Sequence, residues 1–251
     1  MQTTRENFSW DVPQAFNFAR DVIDRLAEEP RRALLFVDAA GKQREYSFPE
    51  VAAISRRWAG ALRDIGIEKG ERVVVLVPKI PAWLFVMLAL DRLGAVVVPC
   101  SEQLRAKDLA FRANHSEALA IVGHASNRAE VDLMRPAAPG VEKFLLVGGE
   151  APGWTSLDGL VESAPEFAGN PTAASDVAYI VYTSGTTKDP KGVVHLHAYT
   201  YAKQMQAQFW FDCKPTDLVW CTAGTGWAKS LWNVLLGPWS CGSAIVLDEG
   251  G

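Results

Sequence analysis

Ten consecutive residues, Thr183-Ser-Gly-Thr-Thr-Lys-Asp-Pro-Lys-Gly192, gather the groups that hold a polyphosphate. Four hydroxyl side chains, Thr183, Ser184, Thr186 and Thr187, fall within five positions, with Gly185 among them and Lys191 four residues after Thr187. Hydroxyls and exposed backbone N–H groups donate to non-bridging oxygens, and glycine lets the chain curl into an anion-holding concavity. A lysine adds a full compensating charge. Surface loops also favour Ser, Thr and Gly, so composition alone leaves a plain loop open. A Walker A loop is excluded by spacing, because no G-x-x-x-x-G-K-[ST] run exists.

Other reactive side chains give weaker signals. His195 and His197 stand two residues apart just after the loop, but no third metal ligand is apparent near them; His115 and His124 read as isolated. Lys79, Lys188 and Lys229 could each assist an anion, although single lysines are usually solvated. The four cysteines, Cys100, Cys213, Cys221 and Cys241, form no C-x-x-C pair. Their spacing suits neither a zinc site nor a disulfide framework, and they read as buried or free thiols.

The elements around the loop read as alternating strands and helices. Residues 72–78, 95–99, 118–123 and 143–148 are nearly continuous apolar, largely β-branched runs. Helical patterns at 80–93, 106–114 and 126–135 separate them. Runs apolar on both faces, with helices between, predict a parallel sheet covered on both sides, with ligand sites at the carboxyl ends of strands. Ser47-Phe-Pro-Glu50 has the spacing of a capping box and opens a helix that stops at Gly66. A first helix is expected over 12–29, strands at 33–38 and 44–46, and a connecting stretch over 151–174. The strand 176–182 leads into the phosphate-type loop. A strand at 193–195, a helix over 198–209, a strand at 217–221, a helix over 227–236 and a last strand at 243–247 complete the pattern.

With 251 residues, 49% hydrophobic and 22% charged, the chain is an ordinary globular sequence. Its net charge of −4 gives no bulk electrostatic footprint for nucleic acid, so an anionic ligand needs a local arrangement. The first eleven residues lack the apolar core of a signal peptide, and no apolar run approaches a membrane span. A cytoplasmic location without membrane contact is expected.

The segment Tyr182-Thr-Ser-Gly-Thr-Thr-Lys-Asp-Pro-Lys-Gly-Val-Val194 resembles the phosphate-binding signature of the acyl-adenylate-forming superfamily, Y-T-S-G-T-T-G-x-P-K-G-V. Lys188 stands where a second glycine is common. The resemblance extends along the chain. Phe16-Asn-Phe-Ala-Arg-Asp-Val22 resembles the entry helix of medium-chain acyl-CoA and benzoate-CoA ligases, and Gly70-Glu-Arg-Val73 resembles the G-D-R-V strand. Thr225-Gly-Trp227 resembles a T-G-W segment beside the acyl pocket, with Gly224 where relatives often carry an acidic residue.

This resemblance implies an α/β fold, the N-terminal part of an adenylate-forming large domain. Residues 1–174 would be a first subdomain, and 175–251 the start of a second one carrying the loop. It implies an acid–thiol ligase: a carboxylate attacks MgATP, an acyl-adenylate forms, and CoA takes the acyl group. Thr183, Ser184, Gly185, Thr186, Thr187, Lys188 and Lys191 would hold the ATP phosphates, and Trp227 would line the acyl pocket. The implied ligands are ATP with Mg²⁺, CoA and a medium-chain or aromatic acid, and an oligomer is compatible. The family's later motif, ribose contact, hinge and mobile C-terminal domain with its catalytic lysine have no counterpart up to Gly251. The 251 residues are therefore expected to fall short of full catalysis. A non-catalytic nucleotide-binding remnant and an adenylation domain loading a carrier protein are the alternatives.

Overall fold

A computed structural model describes residues 9–183 and 189–250. Two sheets organise the chain. The larger has seven strands in the order β7-β6-β5-β3-β4-β8-β9. They are β3 (Arg72–Leu76), β4 (Val96–Pro99), β5 (Ala120–His124), β6 (Lys143–Val147), β7 (Thr155–Ser156), β8 (Val177–Thr183) and β9 (Lys191–Leu196). All pairings are parallel except β8–β9 at the edge. The smaller sheet has the order β10-β11-β1-β2, from β1 (Arg32–Val37), β2 (Gln43–Ser47), β10 (Leu218–Trp220) and β11 (Ala244–Asp248). Strands from the two ends of the chain meet here, with β1 parallel to β11.

The β-branched runs form central strands because both of their faces are covered. Val73 and Val75 of β3, with Val77 just beyond it, enter one core beneath α1 (Phe48–Asp64) and α2 (Pro81–Leu93). Val74 and Leu76 enter another beneath α3 (Ala106–His115) and α4 (Arg128–Met134). That period of two is what a strand requires. Helix α1 starts where its sequence says: the Ser47 hydroxyl accepts the Glu50 N–H, and Glu50 accepts the Ser47 N–H at 2.7 Å.

Two expectations are corrected. The first helix is shorter than 12–29 and starts near Phe18, with a π-helical turn at Ala19–Asp24. Pro13 has no N–H to give, Ala15 forms a bridge with Ala173, and the Asn17 side-chain oxygen accepts the Arg20 N–H, which fixes the start. The stretch 151–174 is not merely a connector. It contains β7 and α5 (Leu157–Ser163), and its tail is pinned to the core. Thr172 donates to the Phe16 carbonyl, Asn170 donates to the Leu93 carbonyl, and the Pro165 carbonyl lies so close to Gly60 that a Cβ there would overlap it.

Buried charge ties the N-terminal turn to the helices. Arg92 is fully buried and gives a two-pronged hydrogen bond to Asp24, at 2.7 and 2.8 Å, while its Nε donates to Ser55. A buried guanidinium needs this pairing to offset its lost hydration. Helix α6 (His197–Trp210) follows β9, and its first residue, His197, is buried 3.6 Å from Asp91 of α2. After β10, α7 (Ala228–Ser230), a π-helical Leu231–Leu236 and α8 (Gly237–Ser240) lead to β11.

Candidate functional site

The predicted phosphate loop leaves β8 and returns as β9. Thr183 closes β8 and Lys191 opens β9, and the two are paired across the ladder. Both are exposed, and among the described residues Lys191 makes no ion pair. Ser184, Gly185, Thr186, Thr187 and Lys188 lie outside the described residues. The carboxyl end of β8 stands beside that of β4, since Val97 pairs with Tyr179 in parallel register. Three residues further along each strand come Cys100 and Tyr182, at one level.

This edge of the sheet is a topological switch point. From β3 the chain passes to α2 on one face, and from β4 it passes to α3 on the other. Open α/β sheets place ligands beyond the carboxyl ends of strands at such a point. The Thr225-Gly-Trp227 segment packs across the carboxyl ends of β3 and β4. The Thr225 hydroxyl, buried, donates to the Val77 carbonyl at 2.6 Å. Gly226 lies flush on the chain after β4: a Cβ there would come 1.9 Å from the Ser101 nitrogen. Only glycine permits that approach. Trp227 follows with 58% exposure, so it is no core tryptophan, and its ring borders Gly224.

Side chains that the sequence did not single out shape the base of the loop. His115, read as isolated, is not: its Nδ1 lies 2.8 Å from the Tyr182 hydroxyl. Phe111 stacks on His115 and meets Tyr182 edge-on, and the Arg112 guanidinium lies over the Tyr182 ring. Partial burial pushes the Tyr182 phenol above its usual range. Cys100, wholly buried beside it, is pushed up to about 12 by desolvation and stays a thiol. A period-3.6 pattern in 106–114 was the only sequence trace of this clamp.

The remaining candidates separate. His195 packs among Tyr199 and Trp232, whereas His197 is buried against Asp91, so the pair does not act as one unit. Burial lowers the His195 pKa, with Lys203 adding to the effect. Lys203 itself is nearly buried, its ammonium over the Tyr199 and Trp232 rings and bonded to Gln206, and burial lowers it to about 8. Lys79 follows β3 and partly offsets the upward push that desolvation gives the Glu102 carboxyl. Lys229 is exposed on α7. His124 hydrogen-bonds Ser126 and presses on Gly148.

A mostly parallel sheet covered by helices on both faces, with a hydroxyl-rich segment between β8 and β9, defines an α/β protein. The chain belongs to the AMP-binding enzyme family, which it matches over residues 23–250. It is similar to an uncharacterized acyl-CoA ligase, YtcI, of Bacillus subtilis, at 33% identity over 95% of this chain and 45% of that protein. It is also similar to the mitochondrial acyl-coenzyme A synthetase ACSM3 of Rattus norvegicus, at 30% identity over 97% of this chain and 44% of that one. A crystal structure of a Brucella canis acyl-CoA synthetase superposes with a TM-score of 0.88 at 25% identity, covering 97% of this chain and 45% of that chain. The fold alone is shared with the anthranilate CoA ligase AuaEII, solved with anthranoyl-AMP, at a TM-score of 0.87 and 24% identity. The chain thus spans less than half the length of these relatives. Among the described residues no helix is long and apolar enough to cross a membrane.

Proposed function

We propose that these 251 residues form the nucleotide-receiving portion of an AMP-forming acid–thiol ligase, which activates a carboxylic acid as an acyl-adenylate and passes the acyl group to CoA. The observation that carries this reading is the position of the loop. Thr183 and Lys191 flank it as a cross-strand pair at the sheet edge, on the same side as the carboxyl ends of β3 and β4 on which Thr225 and Gly226 pack.

Attack of a carboxylate on MgATP joins an anion to a polyanion, so the protein's task is neutralisation and in-line placement. In this reading Thr183, Ser184, Gly185, Thr186 and Thr187 donate to the β- and γ-phosphates. Lys191, without a carboxylate partner among the described residues, supplies charge together with the Mg²⁺ that ATP brings, and Lys188 adds a second ammonium. Trp227, exposed next to the segment that packs on the β3 and β4 ends, offers an apolar wall to the acid's tail. A subdomain division near 174/175 belongs to the same reading, with the second part contributing strands to both sheets, β8 beside β4 and β11 beside β1.

The test is ATP–pyrophosphate exchange in the full-length enzyme. Lys191→Ala and Thr186→Ala should each depress it strongly, and unchanged rates in both would overturn the assignment. A screen of carboxylic acids, reading AMP release with and without CoA, identifies the substrate. Release that depends on CoA supports the thiol acceptor over a carrier protein.

A further inference from the structure

A second concavity lies away from the loop. It has a volume of about 480 Å³ and opens where the β1–β2 hairpin meets the carboxyl end of β6 and the start of α2. In the large sheet, β6 is separated from β8 by β5, β3 and β4, and neither Thr183 nor Lys191 lines the cavity. The volume lies within the range of about 300–1,000 Å³ that holds small organic ligands.

Its floor is aromatic and apolar. Tyr46, Trp58 and Phe85 line it with Val147, and the Phe85 ring meets Tyr46 edge-on at 5.7 Å and Trp58 at 6.1 Å. Its rim is charged, but unevenly engaged. Asp38 accepts the Ala40 and Lys42 N–H groups through one oxygen, and Asp158 accepts the Gly148 N–H at 2.6 Å. Lys42 and Arg44, both exposed, have no carboxylate within ion-pair distance among the described residues, although two carboxylates line the same cavity. Arg44 instead lies over the Tyr46 ring, 4.5 Å from its centroid. The backbone thus occupies part of each rim carboxylate, while both rim cations are left to meet an anion from solution.

We propose that this cavity binds a small amphipathic anion, with its ring or short chain on the Tyr46–Trp58–Phe85 floor and its charged head on Arg44 and Lys42. A carboxylate and a phosphate monoester share the required chemistry: a guanidinium accepts either in a two-pronged contact, and the apolar floor is indifferent to the head. This site is independent of the acyl pocket suggested for Trp227.

Calorimetric titration of the 251-residue chain with octanoate, octyl phosphate, octanamide and octylammonium tests it. Octanoate or octyl phosphate, or both, should bind at a saturable site, and which of them binds tighter identifies the head. The double variant Lys42→Gln/Arg44→Gln, altered only at exposed positions, should weaken that binding about tenfold or more. Trp227→Ala should leave it unchanged. Arg44→Glu should shift preference from the anion to octylammonium. The proposal is overturned if neither anion binds, if octanamide binds as tightly as the better-bound anion, or if the double variant binds like the parent.

Discussion

The Tyr182 hydroxyl meets Nδ1 of His115 at 2.8 Å, across 67 residues of sequence. Tyr182 is the last strand residue before Thr183, and His115 is the last residue of α3. The helix therefore grips the strand one residue before the proposed phosphate loop begins. Removing either polar partner should cost about 1 kcal/mol, the usual net worth of a partly exposed hydrogen bond. Because both substitutions break the same contact, Tyr182→Phe/His115→Ala should be less destabilising than the sum of the single changes. Urea denaturation of the four proteins reads this, and strict additivity would show that the two groups do not interact.

Gly226 offers a sharper test of how the Thr225–Trp227 segment packs on the strand ends. Its α-carbon leaves no room for a side chain against Cys100 and Ser101. Gly226→Ala should therefore force the Thr225–Trp227 segment off the strand ends, at a cost of about 1–3 kcal/mol or more. Gly140→Ala, where an added Cβ meets nothing within 4 Å, is the control and should change stability little. Equal denaturation midpoints for the two variants would contradict the close packing.

Lys203 predicts a pH dependence. Its pKa in the folded chain is lowered to about 8 from an ordinary 10.5, because its ammonium is desolvated. Between those values the unfolded chain holds the proton and the folded chain does not, so this group makes stability rise with pH across that window. Below pH 8 the folded state carries the full penalty, offset in part by the Tyr199 and Trp232 rings and by Gln206. Lys203→Met should consequently stabilise the protein at pH 7 by about 1–3 kcal/mol. The gain should shrink as pH rises toward 10.5. Thermal melts at pH 7 and pH 10 check this, and a gain that is absent at pH 7 or grows with pH would contradict it.

The parts of the fold that were legible in the sequence are those whose physics is local. Val73–Leu76 and Val96–Val98 announce central strands because burial on both faces demands continuous apolar residues. Ser47 and Glu50 announce a helix start because the capping box closes within one turn. The break between β8 and β9 was legible because Thr183 to Gly192 interrupts an apolar strand with consecutive polar residues. Contacts made at long range were not. His115 looked isolated because its partner lies 67 residues away. The stretch 151–174 looked loose because its anchors, Thr172 on Phe16 and Asn170 on Leu93, depend on chain folded elsewhere. The aromatic setting of Lys203 is divided between α6 and Trp232, so no sequence window contains it.

Amide chemical-shift mapping during titration of the chain with magnesium pyrophosphate most directly tests whether this loop receives phosphates. The account predicts that the largest shifts fall between Thr183 and Lys191, and that Lys191→Ala removes most of them. Saturable binding that leaves those amides unmoved, with shifts centred elsewhere, would contradict it.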